Sequence, residues 1–191
     1  MHFRPRLVVA VIMLVLGGCA KVPLSTMLTL ATLDQNSADP AGFGAAVRQP
    51  LGLATRPGGV KLTLTIERSG KPEAEVRSFI MEEVRDPAEI SKVDQYRRRS
   101  DTLTVYRLSG ADASAMRQLQ NSVRTAEGSG SINIGVSADA CTRQPLPVGP
   151  IPVSTYLKVD AGGAYLPVLV DIDLRAEVGE AALAEHVPPC L

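Results

Sequence analysis

The alternation of apolar and polar side chains along the chain describes a succession of short strands interrupted by one helix. Val60–Glu67 is the clearest strand: Val60, Leu62, Leu64 and Ile66 alternate with Lys61, Thr63, Thr65 and Glu67. A period of two with one polar face marks a half-buried antiparallel strand. Arg68–Glu73 supplies a turn, and Ala74–Val84 reads as the partner strand, with Val76, Ile80 and Val84 on one face and Phe79 and Met81 on the other. Thr102–Leu108 and the stretch around Ile132, Ile134 and Val136 return to alternation. Val153–Asp160 and Tyr165–Leu174 form a predicted hairpin around Ala161-Gly162-Gly163-Ala164. On its second arm Leu166, Val168, Val170, Ile172 and Leu174 are expected to share a face, while Pro167 marks an edge strand or a bulge.

The period changes over Ser109–Glu127. Met116, Leu119, Val123 and Ala126 fall on one helical stripe, with Arg117, Gln118, Asn121 and Arg124 opposite. Ser109 or Asp112 can cap the start and Gly128 the end. Elsewhere the pattern is looser. Lys21–Asp34 reads as a tether running into a first strand, Phe43–Gln49 as a short strand or a helical turn, and Arg85–Asp101 as a long loop or a short helix at Pro87–Lys92. Pro145–Pro152 is too rich in proline for regular structure, and Arg175–Leu191 is a soft tail with a short helix at Val178–His186. Six or seven short strands and one helix near 112–126 make the chain mostly β. The expected architecture is a β-sandwich, with an α+β sheet carrying the helix on one face as the alternative.

Composition narrows the class. Hydrophobic residues make up 45% of the 191, enough for a packed core. Twenty basic side chains balance twenty acidic ones and the isoelectric point is near 6.7, without the basic excess of a nucleic-acid-binding domain. No nucleic-acid partner is expected.

The N-terminus carries an address. Arg4 and Arg6 precede the unbroken apolar run Leu7–Leu16, and Gly17-Gly18-Cys19-Ala20 follows. A positive start, a short apolar run and small residues before a cleavage point describe a secretory leader. The run is too short to cross a bilayer as a helix, which takes about 20 residues. Leu16-Gly17-Gly18-Cys19 resembles the lipobox of bacterial lipoproteins. The resemblance implies cleavage between Gly18 and Cys19 by signal peptidase II, a diacylglycerol on the Cys19 thiol, and usually acylation of the new amino group. It divides the chain into a leader at 1–18, an anchor and tether at 19–35, and a single β-rich periplasmic domain at 36–191. The partners it implies are membrane lipid, through acylated Cys19, and an envelope protein complex. Ala20 after the cysteine favours the outer membrane over the inner by analogy with enteric bacteria. Gly149-Pro-Ile-Pro-Val-Ser-Thr-Tyr-Leu157 and Asp171-Ile-Asp-Leu174 also look like segments of uncharacterised proteobacterial lipoproteins, a likeness that implies no activity.

With Cys19 assigned to lipid, Cys141 and Cys190 remain, an even pair in an oxidising compartment. A disulfide tying the C-terminus to the loop at Ala140–Pro145 is expected; two free buried thiols are the alternative. A catalytic thiol would need a nearby base, and after leader removal only His186 is available.

Candidate chemistry elsewhere is sparse. Arg97, Arg98 and Arg99, with Tyr96 and Lys92 beside them, make a candidate anion site, because guanidinium groups bind oxyanions bidentately. Asp86, Glu89, Asp94 and Asp101 lie in the same stretch and favour a solvated, balanced loop instead. Asp160, Asp171 and Asp173 are candidate ligands for a hard cation, but no metal-binding loop accompanies them, and the solvent face of an edge strand accounts for them. Neither a metal nor another cofactor is expected, and no catalytic residues are assigned. The reading is a non-enzymatic binding or assembly module. Its alternatives are a carboxylate hydrolase using Glu82 or Glu83 with Asp171, which needs a fixed pair about 5–9.5 Å apart, and a small-ligand carrier with an apolar cavity between sheets.

Overall fold

A computed structural model describes residues 38–190 apart from 69, 71 and 126–129. The leader expected at 1–18, Cys19 and the strand expected within Lys21–Asp34 lie outside the described residues. The chain is mostly β, as the pattern predicts. Seven antiparallel strands form one curled sheet in the order β5-β2-β3-β4-β1-β6-β7. They are β1 (Gly44–Pro50), β2 (Leu53–Arg68), β3 (Glu75–Glu83), β4 (Asp101–Leu108), β5 (Gly130–Thr142), β6 (Pro152–Lys158) and β7 (Leu166–Asp173). The helices are α1 (Pro87–Ser91), α2 (Gly110–Thr125) and α3 (Leu174–His186).

The two layers expected of a sandwich are the two halves of this sheet, and β3 joins them. Its first part pairs with β2, from Ile66–Glu75 to Lys61–Ile80, and its last three residues pair with β4, from Met81–Leu108 to Glu83–Tyr106. Because the halves face each other, Val60, Leu62, Leu64 and Ile66 of β2 meet Ala45 and Val47 of β1 and Leu157 of β6 in one core. α2 closes this core with Ala113, Met116 and Val123. Its start is capped as expected: the Ser109 hydroxyl accepts from the Asp112 N–H at 3.0 Å and donates to the Asp112 carboxylate at 2.8 Å.

Several local expectations change. The strand read as Val60–Glu67 begins at Leu53 and runs through Pro57-Gly58-Gly59, because the register slips between Thr55 and Val60 and the extra residues bulge out of the ladder. Gly58 takes φ +68° there. β3 does not keep Val76, Ile80 and Val84 on one covered face. Val76 and Ile80 are exposed, while Val84 lies beyond the strand and joins a different cluster. On β7 two register shifts against β6 prevent Leu166, Val168, Val170 and Ile172 from sharing a single face, and Leu174 already belongs to α3. Pro167 does lie in this edge strand. The tail is more ordered than expected: α3 starts at Leu174, capped by Asp173, bends at Gly179 (φ +78°) and buries Leu183 against Leu53 and Ile151. Among the described residues no helix is long and apolar enough to cross a membrane.

Candidate functional site

β1 lies between β4 and β6, and both its faces are covered. Ala45 and Val47 look into the main core. Ala46 looks the other way, toward Leu103, Val105, Tyr156 and Tyr165. The Asp86–Asp101 segment clasps this second face with Ile90, Val93 and Tyr96. The Tyr96 ring stacks on Tyr156 at 4.1 Å between centroids, and its hydroxyl donates to the Tyr165 carbonyl at 2.7 Å. Two charged clusters lie under the clasp.

The first centres on Arg48, which is only 4% exposed. Its guanidinium donates to the Tyr96 carbonyl at 3.0 Å, the Ser154 hydroxyl at 2.8 Å and the Asp171 carboxylate at 2.6 Å. Its Nε faces the buried Asp101 carboxylate at 3.4 Å. Asp171 also takes a bidentate pair from Arg98, at 2.9 and 2.8 Å. Its backbone sits at φ +50°, in the left-handed region that Asp tolerates better than most residues. Its N–H donates to Ser154 Oγ at 2.9 Å, which fixes that turn. The Arg98 hydrogen bonds, reinforced by Arg48, hold the Asp171 carboxyl below the usual carboxylate range against a smaller opposing effect of burial.

The second cluster centres on Glu89 of α1. Its Oε1 accepts from Lys158 and, at 2.8 Å, from the Tyr165 hydroxyl; its Oε2 pairs with Lys92 at 2.8 Å. Burial alone would raise the Glu89 pKa. The hydrogen bonds from Lys158, Lys92 and Tyr165 together outweigh it and bring the carboxyl down to about 2. Tyr165 moves the other way, because burial and the bond it donates to Glu89 both oppose its ionisation. The phenol therefore stays protonated and ties down Glu89 through the hydrogen bond it donates. Gly44 permits the contact: a Cβ there would stand 2.5 Å from the Tyr165 hydroxyl oxygen.

The residues singled out from sequence separate accordingly. Arg97 pairs with Asp94 at 3.2 Å, the local balance expected. Arg98 is matched by Asp171, 73 positions away, and Arg99 is exposed. The neighbouring acids are used one by one: Asp86 caps α1, Glu89 holds Lys158, and Asp101 holds Arg48. The basic run therefore does not converge on a common point. Asp173 accepts from the Ile151 and Arg175 N–H groups, so it does not join Asp171 on a cation. Among the described residues no three His, Cys, Asp or Glu side chains gather as a metal site. Glu82 and Glu83 are exposed on β3, four strand spacings from Asp171 on β7, or about 19 Å along the sheet. The ladder separates that pair, and Asp171 is instead engaged by Arg48 and Arg98. The sulfurs of Cys141 and Cys190 are bonded, with Cα atoms 5.0 Å apart. Cys141 lies near the end of β5 and not in a loop, and the tail runs beside it. The Cys190 N–H donates to the Thr142 carbonyl at 2.8 Å, and Thr142 donates to the Pro188 carbonyl at 2.9 Å.

A cavity of about 380 Å³ opens beside the β2–β3 connection, lined by Ile66, Arg68, Pro72, Glu73, Ala74 and Glu75. With three charged residues in its wall and its place at the end of a hairpin, it is not the apolar chamber between layers expected of a small-ligand carrier. Sequence reasoning missed Arg48, Ser154, Lys158 and Tyr165. The one local signal was Arg48-Gln49 ending an apolar stretch. Comparison with known proteins gives no match to a family model, a curated protein or a solved structure.

Proposed function

We propose that this chain is a lipid-anchored envelope protein, held by acyl chains on Cys19 at the periplasmic face of a membrane, the outer one favoured. Its β-rich domain works there as a non-enzymatic binding or assembly module. The observation that carries the reading is the division of labour among three cysteines. Cys141 and Cys190 are bonded to each other, which suits an oxidising compartment. That leaves Cys19, at the end of an apolar run after Gly17-Gly18, as the remaining thiol. Acyl chains contribute about 0.8 kcal/mol per buried methylene, so two or three anchor a domain that needs no membrane-spanning element of its own. The engagement of the Arg48 and Glu89 clusters in internal pairing supports a structural use of these charges over a catalytic one.

Fractionation of cells making the wild type and Cys19→Ser tests the anchor. The wild type should sediment with membranes and the variant should remain as an uncleaved precursor. An efficiently processed, soluble Cys19→Ser protein would overturn the reading.

A further inference from the structure

We propose that the Cys141–Cys190 bond is a redox latch: its reduction lets residues 180–190 swing away about Gly179 and uncovers an apolar floor at one end of the sheet, which itself stays folded. The tail divides into two parts at Gly179, whose φ of +78° and ψ of 163° interrupt α3. The part before the break is built into the body. Asp173 caps the helix and accepts from the Ile151 N–H at 2.8 Å, and the Leu174 N–H donates to the Ile151 carbonyl at 2.9 Å. Arg175 donates to the Gly149 and Pro147 carbonyls, both at 2.8 Å. None of these contacts involves the sulfurs. The part after the break is held differently. Leu183 is the one buried side chain of α3, seated on Leu53 and Ile151, with Val187 packed partly beside it. The Thr142 N–H donates to the Pro188 carbonyl at 2.9 Å and the Cys190 N–H to the Thr142 carbonyl at 2.8 Å, both next to the disulfide.

Ordering a tail costs conformational entropy at every residue, and burial offsets that cost only where side chains are covered. Between 180 and 190 the covered side chain is Leu183, while Glu180, Ala181, Ala184, Glu185 and His186 are exposed. A segment held by so little opens locally at small cost once its covalent tie is cut. Gly179 is the pivot, because a residue without Cβ passes freely between the left-handed region and the others. The Arg175–Glu180 pair spans that pivot, but at an exposed carboxylate, where an ion pair is weak. The ladders that join β2 to β5 and β1 to β6 include no residue of 180–190, so the sheet keeps its own hydrogen bonds when the tail leaves. The reductant is a dithiol. One of its thiolates attacks Sγ of Cys190, which is half-buried where Cys141 is only 4% exposed. A sulfur–sulfur bond to Cys190 forms as the Cys141–Cys190 bond breaks, and Cys141 leaves as a thiolate that takes up a proton. The second thiol of the dithiol then displaces Cys190 as a thiol. The dithiol departs as a disulfide, having passed its electron pair to the protein. The latch belongs to the folded domain and does not depend on lipid at Cys19.

The test follows hydrogen–deuterium exchange of the full chain before and after incubation with excess dithiothreitol, without denaturant. Peptides covering 180–190 should exchange about tenfold faster or more in the reduced protein, while peptides from β1, β2 and β4 keep their protection. Re-oxidation should restore the slow tail. Alkylation mapped by peptide should reach Cys141 and Cys190 only after reduction. The double variant Cys141→Ser, Cys190→Ser should show the fast tail with no reductant present. A bond that withstands excess dithiothreitol in the folded chain, a tail that exchanges at the same rate once reduced, or a loss of protection across β1, β2 and β4 on reduction would overturn the proposal.

Discussion

Arg48 has acceptors on three sides, and Asp101, its partner at Nε, is nearly as buried as it is. Removing a buried cation strands the anion it neutralised, which costs far more than breaking an exposed pair. Arg48→Met should therefore lower stability by about 3–5 kcal/mol in urea titrations. Arg98→Met removes a half-exposed partner of the same Asp171 and should lower stability far less. Equal losses would contradict the assignment of burial as the cause. Glu89 makes the acid limb of stability specific. Its pKa of about 2 lies below the ordinary 4.5, so between those values the unfolded chain binds a proton that the native one refuses. Stability from this group is complete above about pH 4.5 and is lost as pH falls toward 2. Thermal midpoints measured from pH 2 to 6 should show a shallower acid slope for Glu89→Gln than for the wild type. An identical slope would mean that the Lys158, Lys92 and Tyr165 contacts do not depress this carboxyl. Neither cluster was legible in the sequence, because each joins residues tens of positions apart and a lone Arg or Glu announces no partner.

At the scale of elements, legibility followed coverage. β2 and β4 were readable because their side chains alternate, and α2 because one stripe of it faces the core. β1 was not. It is covered on both faces and built from Gly44, Ala45, Ala46 and Val47, so it shows no alternation, although it lies inside the sheet. The faces of β7 were misread because bulges reset the parity that a period-two argument assumes. Pairing between Cys141 and Cys190 was legible from their number and the compartment expected of the chain, but the tail's lie along the end of β5 was not. The bond closes a separation of 49 residues and fastens that tail beside β5. In the chain-entropy model a loop of this size contributes about 4 kcal/mol. The double variant Cys141→Ser, Cys190→Ser should unfold at correspondingly lower guanidinium concentration. An unchanged midpoint would show that the C-terminal contacts need no covalent clamp.

For the molecule as a whole, the sheet folds over on itself, α2 closes its core, the Asp86–Asp101 clasp covers its second face, and α3 with the disulfide secures one end. The fold class was recoverable from residue pattern alone, since alternation and turn chemistry are local. The function was not, since no residue constellation in the described chain declares a substrate, and the strongest functional signal lies in the first twenty residues. The proposed role depends on what happens at Cys19. Mass spectrometry of the mature chain from its native envelope is the most direct measurement. It should find an N-terminal peptide that begins at Cys19 and carries diacylglycerol on sulfur, with a further acyl group on the amine. A chain that retains Met1–Gly18, or a cleaved one whose first residue bears no fatty acid, would contradict it.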